Sequence, residues 1–511
     1  MANAAIQLKN VTKRFGSKVV ANNNVSLSVY KGEILSILGE NGSGKTTLMN
    51  MIAGIYYPDE GQIFINGEEV VIRSPRDAFD YKIGMIHQHF KLVDVFTAAE
   101  NIVLGLDGKF DLKQAVAQVS ELAEKYGFDV DPLKKIYTMS VSEKQTVEIL
   151  KVLYRGADIL ILDEPTAVLT PQETQKLFNV LRRMRDDGKA IIIITHKLHE
   201  VLTLSDRVSV LRKGEYVGTV DTKDTNEAQL TEMMVGKKID LNIDRKPPVD
   251  PKLRLEIKDI ECHTRDGHKI LDDVSFEAFG GEILGIAGIA GSGQRELLEA
   301  IAGLQSLDGG EILYHNPKTE QIDNLRDKTP LQIRDLGVRL SFVPEDRLGM
   351  GLVGNMDIVD NMMLRSYRKG HSVFVSRKAP HDLAEHIVEQ LEVVTPGLNT
   401  PVRRLSGGNV QKVLVGREIA SAPSVLMAAY PVRGLDINSS YMIYDLLNQQ
   451  KERGVAVIFV GEDLDVLLAL CDRILVIGGG RITGVVDAKT ATKEEIGLLM
   501  TKHDGGDEHV N

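Results

Sequence analysis

Three motifs of the first half of the chain return in the second half, each 266 positions later. A constant offset across separated motifs is typical of a duplicated domain and predicts that both halves share one fold. The pairs are MSVSE at Met139 with LSGGN at Leu405, Asp163 and Glu164 with Ala429 and Tyr430, and His196 with Glu462.

A glycine-rich loop also occurs twice, and only its first copy is complete. GENGSGKT at Gly39–Thr46 fits the pattern GxxxxGK[ST], in which backbone amides wrap phosphates, the lysine contacts them and the hydroxyl binds Mg²⁺. GIAGSGQR at Gly288–Arg295 keeps the glycines but has Gln294 for the lysine and Arg295 for the hydroxyl. The sequence therefore predicts one working nucleotide site and one disabled copy of it.

The length of 511 residues accommodates two domains of about 250 residues each. We predict a first domain over residues 1–236, a linker over 237–252, a second domain over 253–502 and a flexible tail over 503–511. The linker combines charged residues with Pro247, Pro248 and Pro251, a composition that disfavours regular structure.

Composition excludes several classes of function. A net charge of −11 argues against nucleic acid as a partner. Two cysteines provide neither a disulfide framework nor a cysteine metal cluster, and they are consistent with a reducing cytoplasm. No stretch approaches the ~18 apolar residues of a membrane span, so we expect any membrane association to be peripheral.

Short apolar runs predict a parallel α/β core. Residues 33–38, 158–163 and 190–195 are typical of strands buried on both faces, and the first leads into the complete loop. A helix is expected to begin near Gly44. Between about residues 90 and 140 we predict a helical insert. One of its helices has Leu112, Val116, Val119, Leu122 and Tyr126 near one face, and Gly127 ends it.

The motifs of the first half suggest roles in ATP chemistry. Asp163, at a strand end, is expected to hold the hydration shell of Mg²⁺, and Glu164 to polarise the attacking water. His196, at another strand end, is a candidate sensor of the γ phosphate. The alternative interpretations are a salt-bridged Glu164 and a structural histidine. His87 and His89 also invite a zinc interpretation, but without further ligands an exposed loop is the better one.

The order of the phosphate loop, Gln88, MSVSE, ILDEPT and His196 resembles the ATP-binding cassette (ABC) transporters, across nearly the whole chain. The resemblance implies an α/β fold with a P-loop parallel-sheet core, an antiparallel β part and a helical insert in each half. It also implies that the two cassettes pack head to tail. In that packing the signature segment of one cassette, MSVSE or LSGGN, completes the ATP site of the other. In that arrangement Lys45 faces Ser406 across one ATP molecule.

The resemblance further assigns individual residues. Gln88 corresponds to the Q-loop, and Phe15 to an aromatic residue that stacks on adenine, although a core role for Phe15 stays open. The complete assignment has three parts: catalysis by Lys45, Gln88, Glu164 and His196; Mg²⁺ at Thr46, Gln88 and Asp163; and ATP at Phe15, Gly39, Asn41, Gly42, Ser43, Gly44, Lys45, Thr46, Thr47, Ser406, Gly407, Gly408 and Asp436.

When the motif residues are grouped by the ATP site that they would form, all the altered positions belong to one of the two sites. The first-half motifs paired with LSGGN form an intact site. The other site combines MSVSE with the altered residues Gln294, Arg295, Glu345, Ala429, Tyr430 and Glu462. In MSVSE, Ser142 replaces the second glycine of the signature. Thr170 stands at the position that Asp436 has in the intact site. Scattered drift would not sort in this way. We therefore expect no hydrolysis at the second site, whether or not it binds nucleotide, and Arg295 offers a cation near the phosphates there.

IHQHFKLVDVFTAAENIVLG at 86–105 and DEPTAVLTPQE at 163–173 resemble the nucleoside branch of bacterial sugar and nucleoside importers. This implies two integral-membrane permeases and a lipoprotein receptor as partners. It also implies a peripheral position on the cytoplasmic face of the cell membrane, with residues 88–100 and 345–361 contacting the permeases. The alternatives are a ribose/galactose-type sugar importer and a soluble tandem cassette protein acting on ribosomes or DNA.

Overall fold

The computed structural model divides into two compact units, Met1–Asp240 and Leu241–Asn511. It describes residues 4–16, 19–87, 90–106, 111–167, 169–238, 242–248, 250–263, 267–289, 291–342, 348, 351–364, 366–367, 375–420, 423–433 and 435–502. Both units are built from β-strands and α-helices in the same order, so the predicted α/β fold with a duplicated cassette is confirmed.

The first unit contains two sheets. A four-stranded antiparallel sheet has the order β2-β1-β4-β5, and a six-stranded, mainly parallel sheet has the order β10-β9-β3-β8-β7-β6. The strands are β1 (Ala4–Phe15), β2 (Val19–Tyr30), β3 (Ile34–Leu38), β4 (Glu60–Ile65), β5 (Glu68–Val70), β6 (Ile83–Ile86), β7 (Ile159–Asp163), β8 (Ala190–Ile194), β9 (Arg207–Arg212) and β10 (Glu215–Asp221).

The described ranges of the first unit contain eight helices beside these strands. They are α1 (Lys45–Ile52), α2 (Pro75–Asp80), α3 (Ala98–Val103), α4 (Leu112–Tyr126), α5 (Val141–Tyr154), α6 (Pro171–Asp186), α7 (Leu198–Leu204) and α8 (Glu227–Val235). Helices α3 and α4, with a 3₁₀ turn at Ile136–Thr138, form the predicted insert. Gly127 ends α4 in the left-handed conformation, as predicted. The buried face of that helix includes Ala115 and Ala123, which the sequence pattern missed.

The three predicted core strands are confirmed. β3 and β8 are buried at every position and β7 at all but its last residue, Asp163. They pair in parallel, β3 with β8 and β8 with β7. Parallel strands covered by helices on both faces need apolar side chains at consecutive positions, which explains the isoleucine and leucine runs. Their carboxyl ends lie at one edge of the sheet, where Gly39, Asp163 and Thr195 follow or end them.

The second unit repeats this architecture. Its sheets have the orders β12-β11-β14-β15 and β16-β17-β18-β13-β19-β20. The strands are β11 (Lys252–His263), β12 (Lys269–Gly280), β13 (Ile283–Ala287), β14 (Gly309–His315), β15 (Ile322–Asn324), β16 (Val338–Phe342), β17 (Val425–Ala429), β18 (Ala456–Val460), β19 (Arg473–Gly478) and β20 (Arg481–Asp487).

The helices of the second unit are α9 (Gln294–Ile301), α10 (Pro330–Leu336), α11 (Ile358–Met363), α12 (Lys378–Gln390), α13 (Gly407–Ile419), α14 (Ile437–Glu452), α15 (Leu464–Leu470) and α16 (Lys493–Thr501). None of the helices in the described ranges of the two units combines the length and the apolarity needed to cross a membrane.

Part of the segment predicted as a linker packs against the second unit. The Arg245 guanidinium donates to the carbonyls of Leu468 and Cys471, at 3.0 and 2.5 Å. The side chain of Lys451 donates to the carbonyl of Lys246. The bounds of 237–252 for the linker stay a prediction, and the predicted tail, 503–511, lies outside the described residues.

Candidate nucleotide site

The loop between β3 and α1 leaves the amino end of a helix open. Gly44 has φ +95°, and a Cβ there would collide with the carbonyl oxygen of Ala21, so only glycine fits. Gly42 has φ +80° and borders open space. No side chain caps α1 at Gly44. Because the first amides of a helix lack partners inside it, this helix end is suited to an anion.

Lys45 is folded back over the loop. Its side chain is buried, and its Nζ donates to the carbonyls of Gly39 at 2.6 Å and Glu40 at 3.0 Å. Burial lowers the pKa of Lys45, while the charges of Glu164, Asp163 and Glu40 oppose that shift. Lys45 therefore interacts electrostatically with the carboxylates of Asp163 and Glu164, which together are called the DE pair below.

Glu164 occupies a strained position immediately after β7. Its φ is +47°, in the left-handed region, where a residue other than glycine costs about 1–3 kcal/mol. The backbone N–H of Glu164 donates to the carbonyl of Ile194 at 2.9 Å. Its Oε1 lies 2.9 Å from Nδ1 of His196, whose own side chain is half exposed. The structure thus brings Glu164 and His196 together as a hydrogen-bonded pair.

The two carboxylates of the DE pair differ in their pKa values. Burial, followed by the charge of Glu164, raises the pKa of Asp163 to about 6. The hydrogen bond from His196 lowers the pKa of Glu164, against the effect of burial. A half-buried carboxylate with a raised pKa beside a second carboxylate is an environment that a divalent cation would stabilise.

The hydroxyl of Ser43 supports the same interpretation. The side chain is 3% exposed, and its Oγ has no hydrogen-bond partner among the described residues. A buried hydroxyl without a partner is costly unless a ligand satisfies it. Oxygen donors from Ser43, Thr46 and Asp163 fit the hard-cation and phosphate chemistry of Mg²⁺ with a nucleotide.

The remaining predicted residues of the first unit lie in this loop, in the first turn of α1 and at the end of β1. Asn41 and Thr46 are exposed, and Thr47 is half-buried. Phe15 ends β1 with 41% of its surface exposed, and its ring meets Tyr56 edge-to-face with the centroids 5.2 Å apart. Its exposure argues against the core role that the sequence left open. The contact with Tyr56 was not predicted, since no pattern in the sequence links Phe15 to a residue so far along the chain.

Some predicted positions lie outside the described residues. Gln88, predicted for catalysis and for Mg²⁺, is one of them, as are His89 of the zinc alternative and Glu345 of the second half. Their roles stay predictions.

Each signature segment, LSGGN at 405–409 and MSVSE at 139–143, begins a helix, but the two helix ends differ in charge. Ser406 is the N-cap of α13, and its Oγ accepts from Nδ2 of Asn409 at 2.8 Å. Ser406 and Gly407 are exposed, and Gly408 is half-buried. Small neutral residues therefore leave the amino end of α13 accessible to a phosphate.

The corresponding end of α5 already holds a carboxylate. Ser140 and Glu143 form a capping box, in which the backbone N–H of Ser140 donates to Glu143 at 2.7 Å. Lys134 lies 2.7 Å from the same carboxyl group. Glu143 thus places a negative charge at this helix end, where it would repel a phosphate. The S-x-x-E pattern of a capping box was visible in the sequence at Ser140 and Glu143. The prediction considered only the signature glycine that Ser142 replaces.

Asp436 and Thr170 also occupy equivalent caps. The carboxylate of Asp436 accepts from the N–H of Ser439 at 2.8 Å and caps α14. Thr170 caps α6 in a capping box with Glu173. Both residues therefore have a local structural role as helix caps.

The altered loop of the second unit keeps its backbone conformation. Gly291 and Gly293 have φ values of +87° and +104°. Gln294 donates from Nε2 to the carbonyl of Ile289 at 3.0 Å, so it keeps one hydrogen bond of the lysine without the charge. Arg295 forms an ion pair with Glu299 at 2.7 Å. In this structure a carboxylate thus already partners the cation proposed for the phosphates.

The catalytic positions of the second unit show the same pattern. Tyr430 has φ +50°, and its N–H donates to the carbonyl of Val460 at 2.9 Å, which repeats the backbone of Glu164. Glu462, at the position of His196, lies 3.3 Å from Arg433. The strained backbone is present in both units, whereas the carboxylate–histidine pair is present only in the first.

Comparisons with known proteins agree with this duplicated site. The ABC transporter family matches residues 22–167 and 271–431. The nucleoside import ATP-binding protein NupA of Lactococcus lactis is 43% identical, over 98% of this chain and 99% of that protein. The guanosine import ATP-binding protein NupO of Bacillus subtilis is 42% identical, over 97% of each chain. The glucose import ATP-binding protein TsgD13 of Haloferax volcanii is 40% identical, over 98% of this chain and 96% of that protein.

These matches extend over both units and include the glycine-rich loop and the DE pair of the first. The chain therefore belongs to the ABC transporter family, and each of its two units is a copy of that family's ATP-binding cassette.

Proposed function

We propose that this chain is the ATP-hydrolysing subunit of an ABC transporter that imports nucleosides, with one competent ATP site and one degenerate site. The observation that carries the proposal is the hydrogen-bonded pair of Glu164 and His196 beside an intact phosphate loop. Its counterpart in the second unit is Tyr430 with an Arg433–Glu462 ion pair. NupA and NupO, both named for nucleoside import, support the cargo class.

ATP binding follows from the loop geometry. The amides from Gly42 to Thr46 wrap the phosphates at the amino end of α1, and Lys45 exchanges its two carbonyl partners for the β and γ phosphates. Thr46, Asp163 and Gln88 hold Mg²⁺, which neutralises phosphate charge when it is bound. Phe15, with an exposed ring at the end of β1, stacks on the adenine.

Hydrolysis depends on the residues at the carboxyl ends of β7 and β8. Glu164 polarises the attacking water, and its lowered pKa keeps it in the basic form. His196 holds the Glu164 carboxylate through Nδ1 and senses the γ phosphate. Closure excludes bulk water, so these fixed charges act on the phosphate more strongly than they would in water.

The second unit completes this site in the proposal. Ser406, Gly407 and Gly408 present the open amino end of α13 to the γ phosphate, and Asp436 approaches from the cap of α14. The reciprocal site lacks these features because Glu143 closes the amino end of α5 with a carboxylate. In the proposal, repulsion between that carboxylate and a γ phosphate adds to the altered motifs of the second unit in disabling the reciprocal site.

Import requires partners that the chain itself does not contain. We propose two integral-membrane permeases and an extracellular lipoprotein receptor, with this subunit on the cytoplasmic face of the cell membrane. Exposed apolar side chains of Val93 and Val95, within the predicted contact segment, support a protein contact there. ATP favours the closed state through contacts that only that state makes, and hydrolysis reopens it.

The test is uptake by proteoliposomes that contain the chain, its two permeases and its receptor. We expect ATP-dependent uptake of radiolabelled nucleosides with the wild-type chain and loss of uptake with Glu164→Gln. Tyr430→Phe is the matched control and should retain uptake.

The glucose import relative TsgD13 favours one alternative, a sugar importer. Uptake of glucose or ribose without uptake of any nucleoside would establish that alternative and overturn the nucleoside proposal. Uptake that persists with Glu164→Gln would overturn the proposed catalytic site.

A further inference from the structure

A cavity of about 940 Å³ lies within the second unit, at the edge of the sheet away from its glycine-rich loop. Gly337 and Ser424 of its lining precede the parallel strands β16 and β17, and Val455 precedes β18. The loop at Gly288–Gly293 instead follows the carboxyl end of β13, which is parallel to β18. The cavity is therefore separate from the nucleotide site, and its volume is within the range of small-molecule pockets.

Positive charge dominates this cavity. The whole chain has a net charge of −11, yet among the described residues of the lining five are basic and one, Asp335, is acidic. Asp335 lies 3.3 Å from its neighbour in sequence, Arg334. Like charges confined to one cavity repel one another, so an anion bound among them would be stabilised. The basic residues are Arg254, Lys318, Arg334, Arg339 and Arg453.

Arg254 is poorly satisfied by the protein. Its Nε is buried and has no hydrogen-bond partner within the described part of the chain. Among the same residues its Nη1 donates only to the carbonyl of the adjacent Leu253, at a long 3.3 Å. A guanidinium group presents several donors in one plane, and its preferred partners are phosphate and carboxylate oxygens.

The first unit shows that the fold does not require these charges. Strand pairing and helix caps align the two units residue by residue, so each cavity arginine has a counterpart. The counterparts of Arg254, Arg334, Arg339 and Arg453 are Ala5, Phe79, Gly84 and Asp187. None of these four is basic. The first unit has Arg76, Lys82 and Lys189 at the positions of Leu331, Gly337 and Val455, but both lysines pair with Asp158, so the cluster of four arginines belongs to the second unit alone.

We propose that this cavity binds a small soluble anion that carries a phosphate group. A cavity lined by several guanidinium groups and one lysine matches the charge and the oxygen geometry of a phosphate better than those of a single carboxylate. Arg254, Arg453 and Lys318 carry this argument, because Arg334 is paired with Asp335. Tyr367 and Leu331, both exposed on the lining, provide surface for an organic part of the ligand. The site is independent of the proposed hydrolytic site and requires no catalysis.

Calorimetric titration of the full chain with inorganic pyrophosphate, without Mg²⁺, tests this site. The glycine-rich loop also binds pyrophosphate, so the titration is repeated with Lys45→Ala, which weakens only that loop. We expect binding that persists in Lys45→Ala and becomes at least tenfold weaker when Arg254→Gln or Arg453→Gln is combined with Lys45→Ala. Arg453 is exposed, so its variant should fold even if the Arg254 variant does not.

Lys489→Gln is the control, because it removes one positive charge from an exposed position of the second unit outside the cavity lining. It should leave the Lys45-independent binding unchanged. The proposal is overturned if Lys45→Ala abolishes all binding, or if Arg453→Gln combined with Lys45→Ala binds pyrophosphate as Lys45→Ala alone does. Binding to phosphatidylglycerol vesicles that Arg453→Gln abolishes would overturn the soluble ligand in favour of a lipid headgroup.

Discussion

At the scale of single residues, the duplicated chain separates backbone geometry from chemistry. Glu164 and Tyr430 share a left-handed φ and the same backbone hydrogen bond to a neighbouring strand. Only Glu164 adds a carboxylate that is held by a histidine. The strain therefore comes with the turn after the strand, and catalytic competence depends on the side chain placed there.

Replacement of the proposed base should nearly abolish hydrolysis. Glu164→Gln keeps the shape and removes the charge, and the loss of a general base typically costs ~10²–10⁴ in rate. Tyr430→Phe should change the rate by no more than a few-fold, because Tyr430 lies in the degenerate site. Steady-state phosphate release measures both variants, and substantial turnover by Glu164→Gln would refute the assignment.

The raised pKa of Asp163 predicts a pH-dependent effect on stability in the absence of Mg²⁺. The pKa is about 6 in the folded protein against an ordinary 3.8, so the folded state favours the protonated form. The stabilisation is fully present below pH 3.8, and it is lost as the pH rises from there through 6. Asp163→Asn should therefore raise the unfolding temperature at pH 7.5, by about 2–4 °C if the gain is ~1 kcal/mol.

At pH 3 the same substitution should have little effect, because the carboxyl group of the wild type is then protonated in both the folded and the unfolded chain. Thermal unfolding with a chelator present measures both values. An equal shift at the two pH values would show that burial of the Asp163 charge is not its cause.

At the scale of secondary-structure elements, the amino ends of two equivalent helices explain the asymmetry. Helix α13 begins with Gly407, Gly408 and Asn409, which carry no charge. Helix α5 has Glu143 in a capping box that Lys134 also contacts. A cap that already contains a carboxylate satisfies its own amides and repels phosphate.

The serine caps of these helices provide a matched pair of substitutions. Ser406→Ala should lower ATP turnover about 10- to 100-fold, because a hydrogen bond to a charged group contributes ~1.5–3 kcal/mol. Ser140→Ala removes the same hydroxyl from the closed signature and should change turnover little. A larger loss with Ser140→Ala than with Ser406→Ala would contradict the proposed pairing of the sites.

At the scale of the whole molecule, one chain with one competent site should consume one ATP per turnover. Orthovanadate traps ADP at a site that has hydrolysed ATP, so we expect one trapped ADP per chain. The trapped nucleotide, counted after gel filtration, should fall close to zero with Glu164→Gln. Two trapped ADP molecules per chain would show that the degenerate site also hydrolyses ATP.

Much of this architecture was predictable from local patterns. The consecutive apolar residues of β3, β7 and β8 predicted a buried parallel sheet, because only strands covered on both faces tolerate them. The 266-residue offset predicted the duplication, and the family comparison confirms the resemblance. The buried face of α4 was only partly predicted, since alanine gives a weak periodic signal.

By itself, the sequence determined the fold class, the duplication and the division into an intact and an altered set of motifs, because these depend on residue type and spacing along the chain. The tertiary structure decided which groups meet: the Glu164–His196 pair, the raised pKa of Asp163, the buried hydroxyl of Ser43 and the basic cavity of the second unit. The reason is physical, since burial and contacts between distant residues set the energies of charged and polar groups, and neither is encoded in local spacing.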